Sequence, residues 1–443
     1  MSVNTRKSVS IAKWVSVLSL FFSFTNFVPV SAAISIFSFA FYPFTFAAHK
    51  MPRAMVPLFA FFAYAVLSTL LYDPVALFNF QFYRFDGNFF VTYTPLLFLA
   101  SSVFFVNVER TMRWFVYSST FINFCVLALW LATGQALLRG FFGGSYGASS
   151  ATPIYHFMFV AHNAAGGFLA ILSAFSLAMF LAKRNMLTAA ILAVNLASLF
   201  LTSSRGSMLG LTVAILIVLF AGRLGDRFYT IVIGALAINL LVVLYIYSNS
   251  DINFIVYRQA QLTRVLGSLN PGVAGFLDDN ASIRLETSWP LALHAFLQSP
   301  IFGIGFGAFD DLPWELWGWP GVFAFNSAET LLHSDSHAHH TYLHVMAEMG
   351  IVGLVLLLWF LNRLHQFLRT VDPPVMRTAL LLGFWVNVVS AFTEHRLFTP
   401  SQMLPYIIML GLTFANARYV ESLTASETRM PVGRPTPPAP EPA

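Results

Sequence analysis

The chain has 443 residues, 57% of them hydrophobic and only 10% charged, whereas soluble domains carry about 25% charged residues; a water-soluble globular fold is excluded. Runs of roughly 16–22 apolar residues suit helices crossing a hydrocarbon core of about 30 Å, and the ten-residue alternation of a membrane β-barrel is absent. The formal charge of +5 does not point to nucleic acid, because the basic residues are unevenly distributed between loops, and the single cysteine, Cys125, excludes an intrachain disulfide.

Taken in order, the apolar runs predict an all-α polytopic membrane protein. Its twelve spans lie near 14–28, 29–47, 54–72, 91–106, 114–133, 157–182, 186–201, 206–221, 228–247, 340–361, 378–392 and 401–417. Arg6, Lys7 and Lys13 followed by an apolar run and Ser31-Ala32-Ala33 resemble a signal peptide. Continued hydrophobic segments favour an uncleaved first span. The chain divides into membrane helices over 1–247, one long loop over 248–339, three further helices over 340–420, and a Pro-rich tail over 421–443 that is disordered by composition.

Alternate loops sort the basic residues. Seventeen of the 24 Lys and Arg, including all four Lys, fall on one side. The other side holds Arg84, Arg139, Arg205, Arg258, Arg264, Arg284 and Arg396. The positive-inside bias then puts both termini in the cytoplasm and the long loop outside. That loop carries nine acids, three Arg and four of the nine Trp, including Trp289 and the cluster Trp314, Trp317 and Trp319. Carboxylates and aromatic faces grip sugars; Trp also belts the headgroup level.

Three motifs gather on the outer side. Ser203-Ser204-Arg205-Gly206 opens a span, where free backbone N–H groups and the helix dipole favour an anion. The small residues around Arg205 let a ligand approach the backbone; a snorkelling interfacial Arg is the alternative. Arg284 and Trp289 precede Gly303-Ile304-Gly305-Phe306-Gly307. This glycine run lacks the strand and helix of a dinucleotide site, and close backbone packing at a turn accounts for it. Last comes a His-crowded segment, His333 to His344, which passes directly into the apolar run from Ile351. His340, His344 and Glu348 share one helix face. That spacing can serve a metal, but no Cys is nearby and the H-E-x-x-H order is absent. A neutral His can also act as a general base, and a His-rich helix end can be an interfacial cap. Titratable groups at the mouth of a span are costly and point to function.

In order and topology together, three segments resemble the O-antigen ligase and polymerase superfamily of bacterial membrane glycosyltransferases. They are Ser204-Arg205-Gly206, then Arg284 to Phe309 with its glycine run, and His339-His340-Thr341-Tyr342-Leu343 followed by Glu348-Met349-Gly350-Ile351-Val352-Gly353. That family carries a His-Asn pair where this chain has His339-His340. The resemblance implies a GT-C-like, metal-independent and cofactor-free enzyme of the bacterial inner membrane, with a periplasmic active site. Its donor would be a glycan on undecaprenyl pyrophosphate. Its acceptor would be lipid A-core for a ligase, or a second lipid-linked glycan for an O-antigen or exopolysaccharide polymerase. On this reading Arg205 and Arg284 hold the pyrophosphate and His339 is the base. Arg396, His340, Ser204, Trp289 and Tyr342 are candidates for contact with substrate. Membrane lipids are the remaining partners, and no nucleic acid is involved. A polysaccharide transporter or flippase would need charges buried along a path through the spans, which are nearly charge-free inside. A non-enzymatic glycan-binding factor would leave Arg205 and His339 without a task.

Overall fold

The computed structural model describes residues 3–22, 52–79, 82–83, 87–133, 154–159, 162–220, 226–250, 284–309 and 337–427. Every regular element among them is helical. The helices are α1 (Val3–Phe22), α2 (Val56–Tyr72), α3 (Asn88–Ser101), α4 (Val108–Thr133), α5 (His162–Ala182) and α6 (Met186–Leu201). They continue with α7 (Arg205–Ile215, prolonged by a π turn over Leu216–Phe220), α8 (Phe228–Ser248), α9 (Trp289–Gln298), α10 (Thr341–Leu368), α11 (Pro374–Ser390) and α12 (Pro400–Glu427). Among the described residues five are long and apolar enough to cross a membrane: α2 with its preceding turn, α4, α5, α8 and α10. Four shorter apolar helices, α3, α6, α7 and α11, accompany them.

These nine helices overlap nine of the twelve expected spans, with shifted ends. The expected span 29–47, the Trp314–Trp319 cluster, His333 and most of the loop 248–339 lie outside the described residues. Two differences matter. Helix α12 runs to Glu427, so chain from Glu421 that composition assigns to a disordered tail is helical at its start. The segment 284–309, expected as outer loop, contains helix α9 and then inserts among the membrane helices.

The inserted segment explains the glycine run. Helix α10 is broken at Gly350, whose φ is 62° and ψ −161°. Inside a bilayer the backbone groups freed by such a break must find partners in the protein. Residues 300–306 supply them. Ile304 and Gly305 donate their N–H groups to the carbonyls of Ala347 and Glu348 at 2.9 and 3.0 Å. Ile351 and Val352 donate to Pro300 and Ile301 at 2.9 and 3.3 Å. Gly303 lies directly against the Glu348 backbone, where a Cβ would clash. Tyr64 of α2 donates to the Phe302 carbonyl at 2.9 Å and pins the segment from the other side.

The centre of the bundle is α5, α10, α11 and α12. Residues 402–415 of α12 are all buried, packed by α1, α3 and α5. Small residues allow close approach between helices. Gly206 and Gly210 of α7 face Thr393 and Ser390 at the end of α11, and Ser390 Oγ donates to the Gly206 carbonyl at 3.1 Å. The small residues expected to admit a ligand therefore admit a helix. A buried polar cluster joins α4, α5 and α6. Asn195 donates to Thr120 and Ser176 at 2.9 and 2.8 Å, and Asn123 donates to Ser198 at 2.9 Å.

Candidate active site

Four segments meet at one end of the bundle: the first turn of α7, the π turn Arg284–Ser288 before α9, residues 337–340 before α10, and the turn 391–398 between α11 and α12. Arg284 ties two of them together. Its Nη1 donates to the Thr393 carbonyl at 2.9 Å and its Nη2 to Glu394 Oε1 at 3.3 Å. The pair is largely buried. Burial pushes the Glu394 carboxyl up, while Arg284 and Arg396 pull it back down. Gly206 packs on Thr393 and Glu394, which sets the start of α7 beside this anchor. Arg205, the first residue of α7, is exposed. Ser203, two residues before it, holds a φ of 55°. Such backbone in a non-glycine residue is costly and clusters at functional sites.

His339 has the same feature, with φ 50°. Its ring centroid lies 4.4 Å from that of His337, and its Nδ1 is buried without a hydrogen-bond partner. Burial first, then the nearby His337, Arg284 and His344, hold its pKa well below the usual histidine range. The neutral ring, able to take a proton, is therefore the form at neutral pH.

His340 is used differently. It is the N-cap of α10, its Nδ1 accepting the Leu343 N–H at 3.1 Å. Its Nε2 then carries the hydrogen and donates to Asn239 Oδ1 of α8 at 2.9 Å. The residue is fully buried, and burial pushes its pKa down to about 3. Both ring nitrogens are occupied by protein, so His340 does not face a substrate.

Three more expected substrate contacts turn out to be internal braces. Arg396 is fully buried. Its Nε donates to Asn387, Nη1 to Ser207 and Gln402, and Nη2 to the Gly167 carbonyl, at 3.2, 3.3, 2.6 and 3.1 Å. This guanidinium cross-links α5, α7, α11 and α12, and burial lowers its pKa to about 10. Tyr342 is fully buried and donates to the Val388 carbonyl at 2.9 Å. Ser204 is fully buried and bonds Ser207 at 2.9 Å. Trp289 stands edge-on against His340, with ring centroids 5.3 Å apart, and forms the wall behind it.

The structure also brings in His395, to which the sequence assigns no role, beside His344 and Glu348, which the sequence offered only as a metal face. His395 lies with its ring centroid 4.8 Å from His337 and 4.4 Å from His344. His344 Nε2 is 3.3 Å from Glu348 Oε2. The signal available in sequence was the rarity of Glu in apolar segments. Among the described residues, nine buried side-chain polar atoms lack a partner, and five belong to Arg284, Trp289, His339, His344 and His395. Buried polar atoms are normally paired, and this end of the bundle concentrates the exceptions. No three His, Cys, Asp or Glu among the described residues are placed to hold a metal ion.

Residues 188–358 match the family model described as O-antigen ligase. The match starts in α6, ends in the second half of α10, and includes Arg205, Arg284, His339 and His340, whereas Glu394, His395 and Arg396 lie beyond it. No curated protein matches the chain. The matched stretch supports kinship with the O-antigen ligase and polymerase superfamily, in a bundle that has five membrane-length apolar helices among the described residues.

Proposed function

We propose that the protein is an O-antigen ligase-type glycosyltransferase of the bacterial inner membrane. It moves a glycan from undecaprenyl pyrophosphate to a hydroxyl of lipid A-core at the periplasmic face, where the long loop and the site lie, with both termini cytoplasmic. The observation that carries this reading is the meeting of His339, Arg284 and the first turn of α7 at one end of the bundle, among buried polar atoms that lack partners.

In this reaction His339 takes the proton from the acceptor hydroxyl. The acceptor oxygen bonds to the anomeric carbon from the face opposite the leaving group, so the configuration inverts. The bond from that carbon to the phosphate oxygen breaks, and undecaprenyl pyrophosphate departs with the electron pair. Arg284, whose Nε has no acceptor among the described residues, and Arg205 stabilise the charge that grows on it. Arg presents a planar fork that matches phosphate bidentately.

The test is transfer of a lipid-linked glycan in membranes containing the full chain. His339→Ala should lower the rate by about 10²–10⁴, and Arg284→Ala by about 10²–10³. Full transfer by His339→Ala would refute the assignment. In a strain lacking the protein, long chains left on the carrier with bare core support a ligase. Single repeats accumulating on the carrier would instead make the acceptor a second lipid-linked glycan. A reporter within 310–336 that proved cytoplasmic would reverse the orientation.

A further inference from the structure

We infer that Glu348, acting through His344 and the rings of His395 and His337, provides the counter-charge for the proton that His339 removes from the acceptor. The inference rests on His339 being the base.

A carboxylate in an apolar helix is expensive and needs a reason. Glu348 is 2% exposed in the first half of α10. Its Oε1 accepts the Phe309 N–H at 3.1 Å, so the inserted glycine segment holds it. Its Oε2 faces His344 Nε2 at 3.3 Å. With Nε2 donating there, His344 Nδ1 keeps its lone pair, and that atom is buried without a partner. From His344 the ring centroids run 4.4 Å to His395, 4.8 Å on to His337 and 4.4 Å on to His339. The rings are in contact, and His337 and His344 act on His339 electrostatically. The Nδ1 atoms of His339 and His395 are also without partners.

The charges around the cluster leave this duty to Glu348. Arg284 faces the rings from the π turn before α9, and His162 of α5 is within electrostatic reach of it. Glu394 and Arg396 face them from the turn after α11. Glu394 is already shared between Arg284 and Arg396. A proton added to His339 beside Arg284 therefore meets an uncompensated positive charge. Of the two buried carboxylates Glu394 and Glu348, Glu394 pairs with Arg284 and Glu348 has no Arg or Lys partner among the described residues. The proton leaves the acceptor oxygen for His339, is held there with Glu348 as the counter-charge behind the ring cluster, and passes to water after the lipid product departs. One hydroxyl proton is released per glycan transferred.

Glu348→Gln in the full chain tests this: the amide oxygen keeps the acceptor for Phe309 N–H, the charge is lost, and the amide NH2 faces His344 Nε2, which then accepts. A carboxylate raises the proton affinity of neighbouring imidazoles, so its loss weakens the base and lets it stay deprotonated at lower pH. Transfer at pH 7 should fall about tenfold with KM for the lipid-linked donor unchanged. The acid limb of the pH–rate profile should move down by about one pH unit. An unchanged rate, or a lowered rate with an unmoved acid limb, would overturn the inference and leave Glu348 a structural acceptor. Where Glu348→Gln does not accumulate in the membrane, His344→Gln carries the same expectation. His339→Ala run in parallel separates the readings: if it retains full transfer, His339 is not the base, whatever Glu348→Gln does.

Discussion

His340 Nδ1 accepts the Leu343 N–H at 3.1 Å, as the side chain of a helix N-cap does. The resembling family carries Asn at this place, and Asn is among the strongest N-caps. The His-His pair of this chain thus divides into a cap and a free ring. His340→Asn should preserve the cap and retain transfer, while His340→Ala should lose about 0.5–2 kcal/mol of stability. Thermal denaturation and the transfer assay on both variants check this; loss of transfer in the folded Asn variant would return His340 to the chemistry.

The same residue makes stability depend on pH. Its pKa falls from 6.5 in the unfolded chain to about 3 when folded. Between those values the unfolded state binds more protons, so stability rises with pH. The contribution is fully present above about pH 6.5 and is lost as pH falls toward 3. His339 and His395 are lowered for the same primary reason, burial, and act in the same direction. The apparent melting temperature should therefore drop from pH 7 to pH 5, and His340→Asn should flatten that slope. An equal slope in both proteins would contradict the neutral cap.

Arg396 and Arg284 should behave differently when truncated. Arg396 is buried against four acceptors. Removing one partner of a buried charged network typically costs about 3–5 kcal/mol. Arg396→Ala should accumulate poorly and melt early. Arg284→Ala breaks one ion pair and leaves Glu394 with Arg396 as its neighbour, so it should lose less stability and fail in transfer. The measurement is membrane yield and melting temperature beside specific activity; a stable, inactive Arg396→Ala would restore Arg396 as a phosphate ligand.

Gly210 of α7 meets the backbone and Ser390 of α11, whereas Gly234 of α8 has open space around it. Gly210→Leu should push α7 off α11, carry Arg205 away from Arg284, and reduce transfer. Gly234→Leu should change little. Equal effects of the two would mean that the α7–α11 contact does not position Arg205.

Gly350→Ala tests the broken helix. The position has φ 62°, and a Cβ would run into the Ile301 carbonyl. Ala at positive φ costs more than about 1 kcal/mol, and here the glycine segment must also shift. Both melting temperature and transfer should fall, because Glu348 depends on Phe309 for its position. An unchanged melting temperature would mean that α10 can run straight without the inserted segment.

Much of this protein is readable from its residues alone. Low charge and long apolar runs dictate a membrane bundle, since a polar backbone in hydrocarbon must close its hydrogen bonds within helices. The order Arg205, Arg284, His339 along those runs points to the family and to the group that the structure brings to one end. What sequence leaves open is decided by burial, which is not local. Arg284 and Arg396 have the same chemistry and the same expected side, yet one lies among partnerless polar atoms and the other is saturated inside the bundle. His339 and His340 are neighbours, and only the position where α10 begins separates a free ring from a cap. The run from Ile351 reads as one continuous span with its preceding helix; the break at Gly350 exists because residues 300–306 come from elsewhere in the chain to satisfy the backbone it frees. Tertiary contact alone delivers those partners, and with them the place of Glu348.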